Sequence, residues 1–559
     1  MGLYRSKSIF FLSATITLVF LMITFKTGNG PNILTSQKYV WQTKVDLIDR
    51  PMIDMFPTFM ETEEKLRQDA VLPVFTNKTE GVGSMGHTDP TMSKFFIKDG
   101  KPILFGEFFS VIVEAHDANG RHRVQGGDFW YPVVSNGNRF ATAGKVIDFK
   151  NGTYEMVFFA GWHGEMTVNI KLVHTNEAVR FILHEIWHKG GRTVWEGQFK
   201  VGENIETSLC RLETNGIWQN KCEYPNPQAL GGSLVLLCDR PPTLPCSAFY
   251  ALHVNEHSTT VVTMVYSSLR KTHDNFFTSK NNFARLENGP IQLKSETNES
   301  FDIVDSVIKS LKLQKCRPDV PEPLSDGFWE NKTWHSFSCN TKQWTRDEIK
   351  DCVKGKKLFF MGDSTSRQWY HKLLVLLGFP LPEDMAQTAM HLQSDIINMT
   401  FIFHSYIVSK RLELENFANF EVDQLDYLPK DTCDYIITIS PFAHYEHWTK
   451  EAYITRLENI RTGIFKFRKR CPEAVFVIKG SHARRVKTEE KKEINGYFTS
   501  DLLLYQFRRL LRETFSGMNV HFLDIWDMNL SYYTPNTVHM PPDVILQELF
   551  MYFSHVCLQ

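Results

Sequence analysis

The sequence predicts two folded units of different class behind an apolar N-terminal segment: an antiparallel β-sandwich, then a doubly wound α/β domain. Three observations carry this reading. From about residue 103 to 174, apolar and polar residues alternate with period two. After Cys316, short apolar runs alternate with helical patterns. The 10 cysteines fall into two even sets, Cys210, Cys222, Cys238 and Cys246, then Cys316, Cys339, Cys352, Cys433, Cys471 and Cys557. A chain of 559 residues also exceeds what one core organises, so two or three domains are expected. The formal charge of −1 and the lack of a long basic run argue against a nucleic-acid partner.

At the N-terminus, Arg5 and Lys7 precede an uncharged stretch from Ser8 to Phe25, closed by Lys26. A spanning helix needs roughly 17–25 residues, whereas the apolar part of a cleaved signal has about 7–15. Positive charge on the short side favours a cytoplasmic N-terminus. The expected order is a cytoplasmic tail over 1–7, a signal-anchor helix over 8–25 and a stem over 26–95. Thr27, Gly28 and Gly30 keep a cleaved signal, and so a secreted protein, as the alternative. Six N-x-S/T triplets, at Asn77, Asn151, Asn298, Asn331, Asn398 and Asn529, are candidate glycosylation sites. Even cysteine sets suit internal disulfides in an oxidising compartment. No CxxC pair occurs, so no metal site is expected.

The sandwich is expected over 96–255. Phe109, Val111, Val113 and Ala115 alternate with Ser110, Ile112, Glu114 and His116. Tyr154, Met156 and Phe158 share one face, as do Met166, Val168, Ile170 and Leu172. Asn151-Gly152 between apolar runs is a hairpin signal, because both residues tolerate positive φ. Residues 200–250 read as a disulfide-tied extension, and 256–312 as a polar connector.

The α/β domain is expected over 313–559. Its candidate strands are Leu358–Met361, Phe401–Tyr406, Tyr435–Ile439, Val475–Ile478 and Val520–Leu523. Its candidate helices are Thr365–Leu377, Lys450–Phe467, Ser500–Phe515 and Pro541–Phe553. Four to six apolar residues in a row, between helices, is how a parallel strand covered on both faces reads.

The chemistry centres on Gly362-Asp363-Ser364, where an apolar strand runs directly into a helix. Ligands of open α/β sheets bind beyond the carboxyl ends of the strands. A serine there presents its hydroxyl beside the unpaired N–H groups of a helix N-terminus. Read alone, the triplet is equally a turn with an N-cap. A nucleophilic serine needs a base. His539 follows the last strand and so lies at the same sheet edge if the topology is parallel; a lone loop histidine is otherwise a surface residue. His444 follows the strand Tyr435–Ile439 and is a candidate oxyanion or substrate contact, as are Gly362, Asp363 and Arg367. Arg367 is a candidate partner for a substrate carboxylate or else a helix-face ion pair.

These motifs resemble the neurexophilin and PC-esterase domain (NXPE) family. The block Gly362-Asp363-Ser364-Thr365-Ser366-Arg367-Gln368-Trp369 resembles the family's nucleophile block. Ala143 to Tyr154, with Val168 to His174, resembles its neurexophilin-like domain. Asp524-Ile525-Trp526 through His539 to Cys557 resembles its C-terminus. The resemblance implies an Ig-like neurexophilin module followed by an SGNH-type PC-esterase domain, with Ser364 as nucleophile and His539 as base. The wider group includes glycan O-acetyltransferases, among them enzymes acting on plant cell-wall polysaccharides and animal sialic acids. It therefore implies a membrane-anchored Golgi or cell-surface O-acyltransferase or esterase acting on glycoconjugates. Acetyl-CoA is the implied acyl donor, although no motif for it is visible. The sandwich resembles secreted ligands of neuronal receptors and implies an extracellular protein partner.

One position departs from the family pattern. The aspartate usual three residues before the histidine is Asn536. Asparagine orients an imidazole but does not stabilise imidazolium by charge, and the equivalent loss in a serine protease lowers kcat roughly 10⁴-fold. Asp524, Asp527 and Asp543 are candidate substitutes. A catalytically inactive, extracellular binding protein is the alternative reading.

Overall fold

The structure, a computed structural model, describes residues 86–187, 195–214, 219–225, 234–253, 277, 283–297, 304–404, 412–413, 420–484, 500–534 and 538–558. The expected tail, anchor and most of the stem lie outside the described residues. Among those described, no helix is long and apolar enough to cross a membrane.

Period-two alternation produces strand Phe108–Glu114, with Phe109, Val111 and Val113 buried and their neighbours partly exposed. It lies between Lys94–Ile97 and Thr153–Phe159 in a four-stranded antiparallel sheet closed by Lys145–Asp148. A larger sheet is centred on Phe129–Asn136 and Gly164–His174. Its Met166, Val168, Ile170 and Leu172 share one apolar core with Tyr154, Met156 and Phe158 of the first. The hairpin between Asp148 and Thr153 forms, but positive φ falls on Lys150 (64°) and Gly152 (88°) rather than on Asn151. Asn151 instead accepts the Thr153 N–H through Oδ1 at 3.0 Å. A Cβ on Gly152 would sit 2.1 Å from the Arg123 carbonyl oxygen, so only glycine fits.

The expected division between the two units is corrected. In the segment read as a connector, Ile291–Glu296 pairs antiparallel with Gly164–His174. It escapes recognition because Gln292, Lys294 and Glu296 are exposed and only Ser295 is buried, so it carries no apolar run and looks like loop. Beyond 313, Gly327–Glu330 and Thr333–Ser336 extend the same sheet, Trp329 opposite Ala141. The chain thus re-enters the first unit's sheet before building the second. The two cysteine sets close within themselves: Cys210–Cys238, Cys222–Cys246, Cys316–Cys339, Cys352–Cys557 and Cys433–Cys471.

The second unit runs β1 (Lys357–Gly362), α1 (Ser364–Leu377), β2 (Ala389–Gln393), β3 (Asn398–Phe403), β4 (Tyr435–Ser440), α2 (Lys450–Arg470), β5 (Val475–Lys479), α3 (Asp501–Phe515), β6 (His521–Leu523), α4 (Trp526–Ser531) and α5 (Pro542–Cys557). The sheet order is β2-β3-β1-β4-β5-β6. All neighbours are parallel except β2, an unanticipated antiparallel edge strand. From Leu358 to Gly362 every β1 residue is buried, which is why this strand reads as an unbroken apolar run. Each such side chain contributes about 1.5–3 kcal/mol on burial. Being central, β1 delivers its carboxyl end to the middle of the sheet edge.

Candidate active site

β1 ends at Gly362, opposite Phe403 of β3 and Ser440 of β4. A Cβ on Gly362 would lie 2.5 Å from Ser366 Oγ and 2.9 Å from Ser440 Cβ, so the absent side chain lets helix and strand close up at the turn. Asp363 caps α1: its Oδ1 accepts the Thr365 N–H at 2.7 Å. Its Oδ2 accepts the Ala443 N–H at 3.1 Å, tying the turn to the loop after β4. Asp363 is fully buried, so its carboxylate is a structural clamp; the reading of it as a substrate contact is corrected. Gly362 is likewise buried, with its carbonyl taken by the His404 N–H at 2.9 Å.

Ser364 is the first residue of α1 and is half-buried. Its N–H is one of the donors a helix leaves without an intrahelical partner. His539, exposed on the loop between α4 and α5, brings Nε2 to 2.7 Å from Ser364 Oγ. That is within the 2.6–3.2 Å reach of a base and the hydroxyl it would deprotonate. Desolvation is the main force holding the His539 pKa below its ordinary value. The Asp363 carboxylate opposes this shift, and the Arg367 and Lys479 cations add to it. The ring is therefore poised neutral, as a base requires.

His444 is half-buried beside Asp363, and its Nδ1 lies 3.2 Å from His404 Nε2. Burial lowers its pKa, against Asp363 and with His539 and Arg367. Arg367 donates to the Ala386 and Gln387 carbonyls at 3.1 and 3.2 Å and lies over the Phe403 ring. Its charge acts on both His444 and His539.

The three candidate substitutes for the missing aspartate point elsewhere. Asp524 is paired with Arg508 at 2.7 Å and Arg512 at 2.8 Å; burial opposes its ionisation, but these two cations outweigh it and keep its pKa low. Asp527 faces Lys145 at 3.0 Å. Asp543 pairs with Lys332 at 2.9 Å. Asn536 lies outside the described residues. Asn529 is corrected as a glycan acceptor: it is fully buried, and its amide donates to Ile525 O at 2.7 Å and Glu548 Oε1 at 3.0 Å. Asn331 is exposed, Asn151 and Asn398 are half-buried, and Asn77 and Asn298 lie outside the described residues.

Three residues at the site were not singled out from sequence. His404, buried after β3, contacts His444. Lys479, at the end of β5, is fully buried with Nζ 3.1 Å from Thr365 Oγ1 and 3.7 Å from Glu548 Oε2. Burial pushes its pKa down, against the pull of Glu548 and Asp363. Glu548, also fully buried, accepts the Trp369 indole N–H at 2.6 Å. The available signals were charged residues inside otherwise apolar elements, Val-Phe-Val-Ile-Lys and the apolar face of α5.

Comparison with known proteins finds two family matches. A model described as "NXPE family member 4-like, C-terminal domain" matches residues 334–557. One described as "Neurexophilin" matches residues 110–297. The protein "trichome birefringence-like 35" of Arabidopsis thaliana is 30% identical over 69 residues, which span 12% of this chain and 15% of that protein. Among solved structures, invasin, titled a bacterial integrin-binding protein, is 10% identical across 57% of this chain and 55% of its own. Its TM-score of 0.13 carries no argument.

Proposed function

Given that the chain belongs to the NXPE family, we propose that its C-terminal domain is a PC-esterase-type acyl-transfer enzyme with Ser364 as nucleophile and His539 as general base. The observation that carries this is the 2.7 Å contact between Ser364 Oγ and His539 Nε2 at a helix N-terminus. Ser364 Oγ attacks the acyl carbonyl carbon while its proton passes to His539 Nε2. The oxyanion faces the Ser364 N–H at the start of α1, a type of donor worth about 2.7–4 kcal/mol; the next three N–H groups are taken by Asp363. The tetrahedral adduct expels the donor's thiolate or alkoxide, which takes the proton from His539. An acceptor hydroxyl then yields its proton to His539 and attacks the acyl-serine, and the departing Ser364 oxygen takes that proton back. A sugar hydroxyl makes the reaction an O-acyl transfer, and water makes it ester hydrolysis.

The wider superfamily supports a glycan or glycoconjugate acceptor, sialic acid among the candidates, and acetyl-CoA as a donor substrate. The match to a trichome birefringence-like protein points the same way over a short stretch. Five disulfides indicate an extracellular or secretory-pathway location. Within it we place a type II anchor over 8–25, a lumenal catalytic domain in the Golgi or at the cell surface, and an Ig-like sandwich that meets a protein partner.

A fluorophosphonate probe tests the reading. Covalent labelling at Ser364 that Ser364→Ala removes is the expected result. An inert, folded wild type would leave the non-catalytic binding protein as the function. Mass spectrometry of glycan O-acetylation in cells expressing wild type or Ser364→Ala then tests the acceptor class; equal acetylation rejects transfer to those glycans.

A further inference from the structure

Ser364 and His539 reside on separate parts of the chain, one on α1 and one on the loop joining α4 to α5. Something must hold that loop over the serine. Gln368 lies four residues after Ser364, one helical turn along the same face of α1. Its Nε2 donates to the Met540 carbonyl at 3.1 Å, and its Oε1 accepts the Met540 N–H at 3.3 Å. One side chain thus satisfies both backbone groups of the residue directly after His539. On the other side, His482 donates from Nε2 to the Val538 carbonyl at 2.9 Å. His482 is fully buried just beyond β5; burial, with Lys479 beside it, keeps the ring neutral. Residues 538 and 540 are therefore each tied to the scaffold, and the imidazole between them is aimed by two backbone grips.

We propose that Gln368 is the positioning residue for the general base, its amide locking the His539 loop onto the helix that carries Ser364, with His482 as the second grip. The inference rests on the reading of Ser364 and His539 as nucleophile and base. Because the clamp originates on α1 itself, it fixes nucleophile and base relative to each other and not merely to the fold. A misplacement of about 1 Å in such a pair costs on the order of 10²-fold in rate.

The test uses the full chain and compares fluorophosphonate labelling rates at Ser364 in wild type, His539→Ala, Gln368→Leu and Gln368→Glu. Gln368→Leu keeps volume and loses both bonds; Gln368→Glu keeps the acceptor for the Met540 N–H and loses the donor. The expected result is a rate lower by roughly 10- to 100-fold in Gln368→Leu, at an unchanged melting temperature, with Gln368→Glu in between. The pH dependence supplies a readout that a purely structural role would not move. A loosened loop relieves the partial desolvation of His539 and takes it away from Arg367 and Lys479, so the acid limb of labelling shifts up toward the ordinary histidine value of 6.5. If Gln368→Leu fails to fold, Gln368→Glu decides by the labelling rate alone, since its added carboxylate raises the His539 pKa by charge. Wild-type rate and pH profile in the folded variant, with His539→Ala strongly impaired, overturns the clamp while leaving the base assignment standing. Equal labelling of wild type and His539→Ala overturns both.

Discussion

Glu548→Gln probes the buried charge beneath the Gly362-Asp363-Ser364 turn. Lys479 and Glu548 are both fully buried and 3.7 Å apart. At an effective dielectric constant of about 20, two unit charges at that separation attract by about 4 kcal/mol. Breaking a buried pair by removing one partner costs about 3–5 kcal/mol, because the other charge is left without compensation. Lys479 has one escape, losing its proton, which at pH 7 costs about 5 kcal/mol for a lysine of ordinary pKa. The two limits agree. For a domain of this size, about 2–4 °C is lost per kcal/mol, so a drop of roughly 6–20 °C is expected in thermal unfolding. The sign with pH follows from Lys479, whose folded pKa is depressed. Between that value and about 10.5 the unfolded chain binds more protons, so the variant regains stability as pH rises through this window. The double variant Lys479→Met/Glu548→Leu removes both charges and is expected to be more stable than Glu548→Gln alone. A drop below about 3 °C, or a double variant no better than the single, would refute the account.

Three further outcomes are expected. Arg367→Gln removes a cation that lowers the His539 pKa, so the acid limb of Ser364 labelling moves to higher pH; no shift, or a downward one, contradicts the electrostatic picture. Peptide mapping after enzymatic deglycosylation in heavy-oxygen water should find Asn529 unmodified while Asn331 is open to modification, since the first is buried and the second exposed; a glycan at Asn529 would be incompatible with its bond to Glu548. Lys145→Met removes the cation that Glu322, Asp326 and Asp527 surround at 3.1, 3.0 and 3.0 Å; Glu322 keeps Arg508 at 2.5 Å, so Asp527 and Asp326 lose most. A cost of about 3–5 kcal/mol is expected, with faster amide exchange in both 145–148 and 526–531; protection unchanged in both would mean the cluster does not join the two units.

Much of the second unit is legible in the chain. Three of its five parallel strands, β1, β4 and β5, are written as apolar runs because both faces are covered, whereas β3 alternates, and its main helices are written as periodic patterns with caps. The more exposed strands are not: β2 and Ile291–Glu296 have exposed residues at alternate positions and so carry no apolar run. The merging of Gly327–Ser336 into the first unit's sheet is equally hidden, because pairing to residues nearly 190 positions away leaves no local trace.

The site divides along the same line. The strand-turn-helix at Gly362-Asp363-Ser364 is a local property: burial on both faces makes the strand, Asp363 caps the helix, and the two together expose the serine at the sheet edge. Which groups meet that serine is a matter of sheet order and loop placement. Only the tertiary structure brings His539 to 2.7 Å, commits Asp524, Asp527 and Asp543 to cations elsewhere, and sets Lys479 and Glu548 beneath the turn. Local sequence determines conformation through propensity and burial pattern, whereas the partners of a charged or polar side chain depend on contacts between distant segments, which no short window of residues encodes.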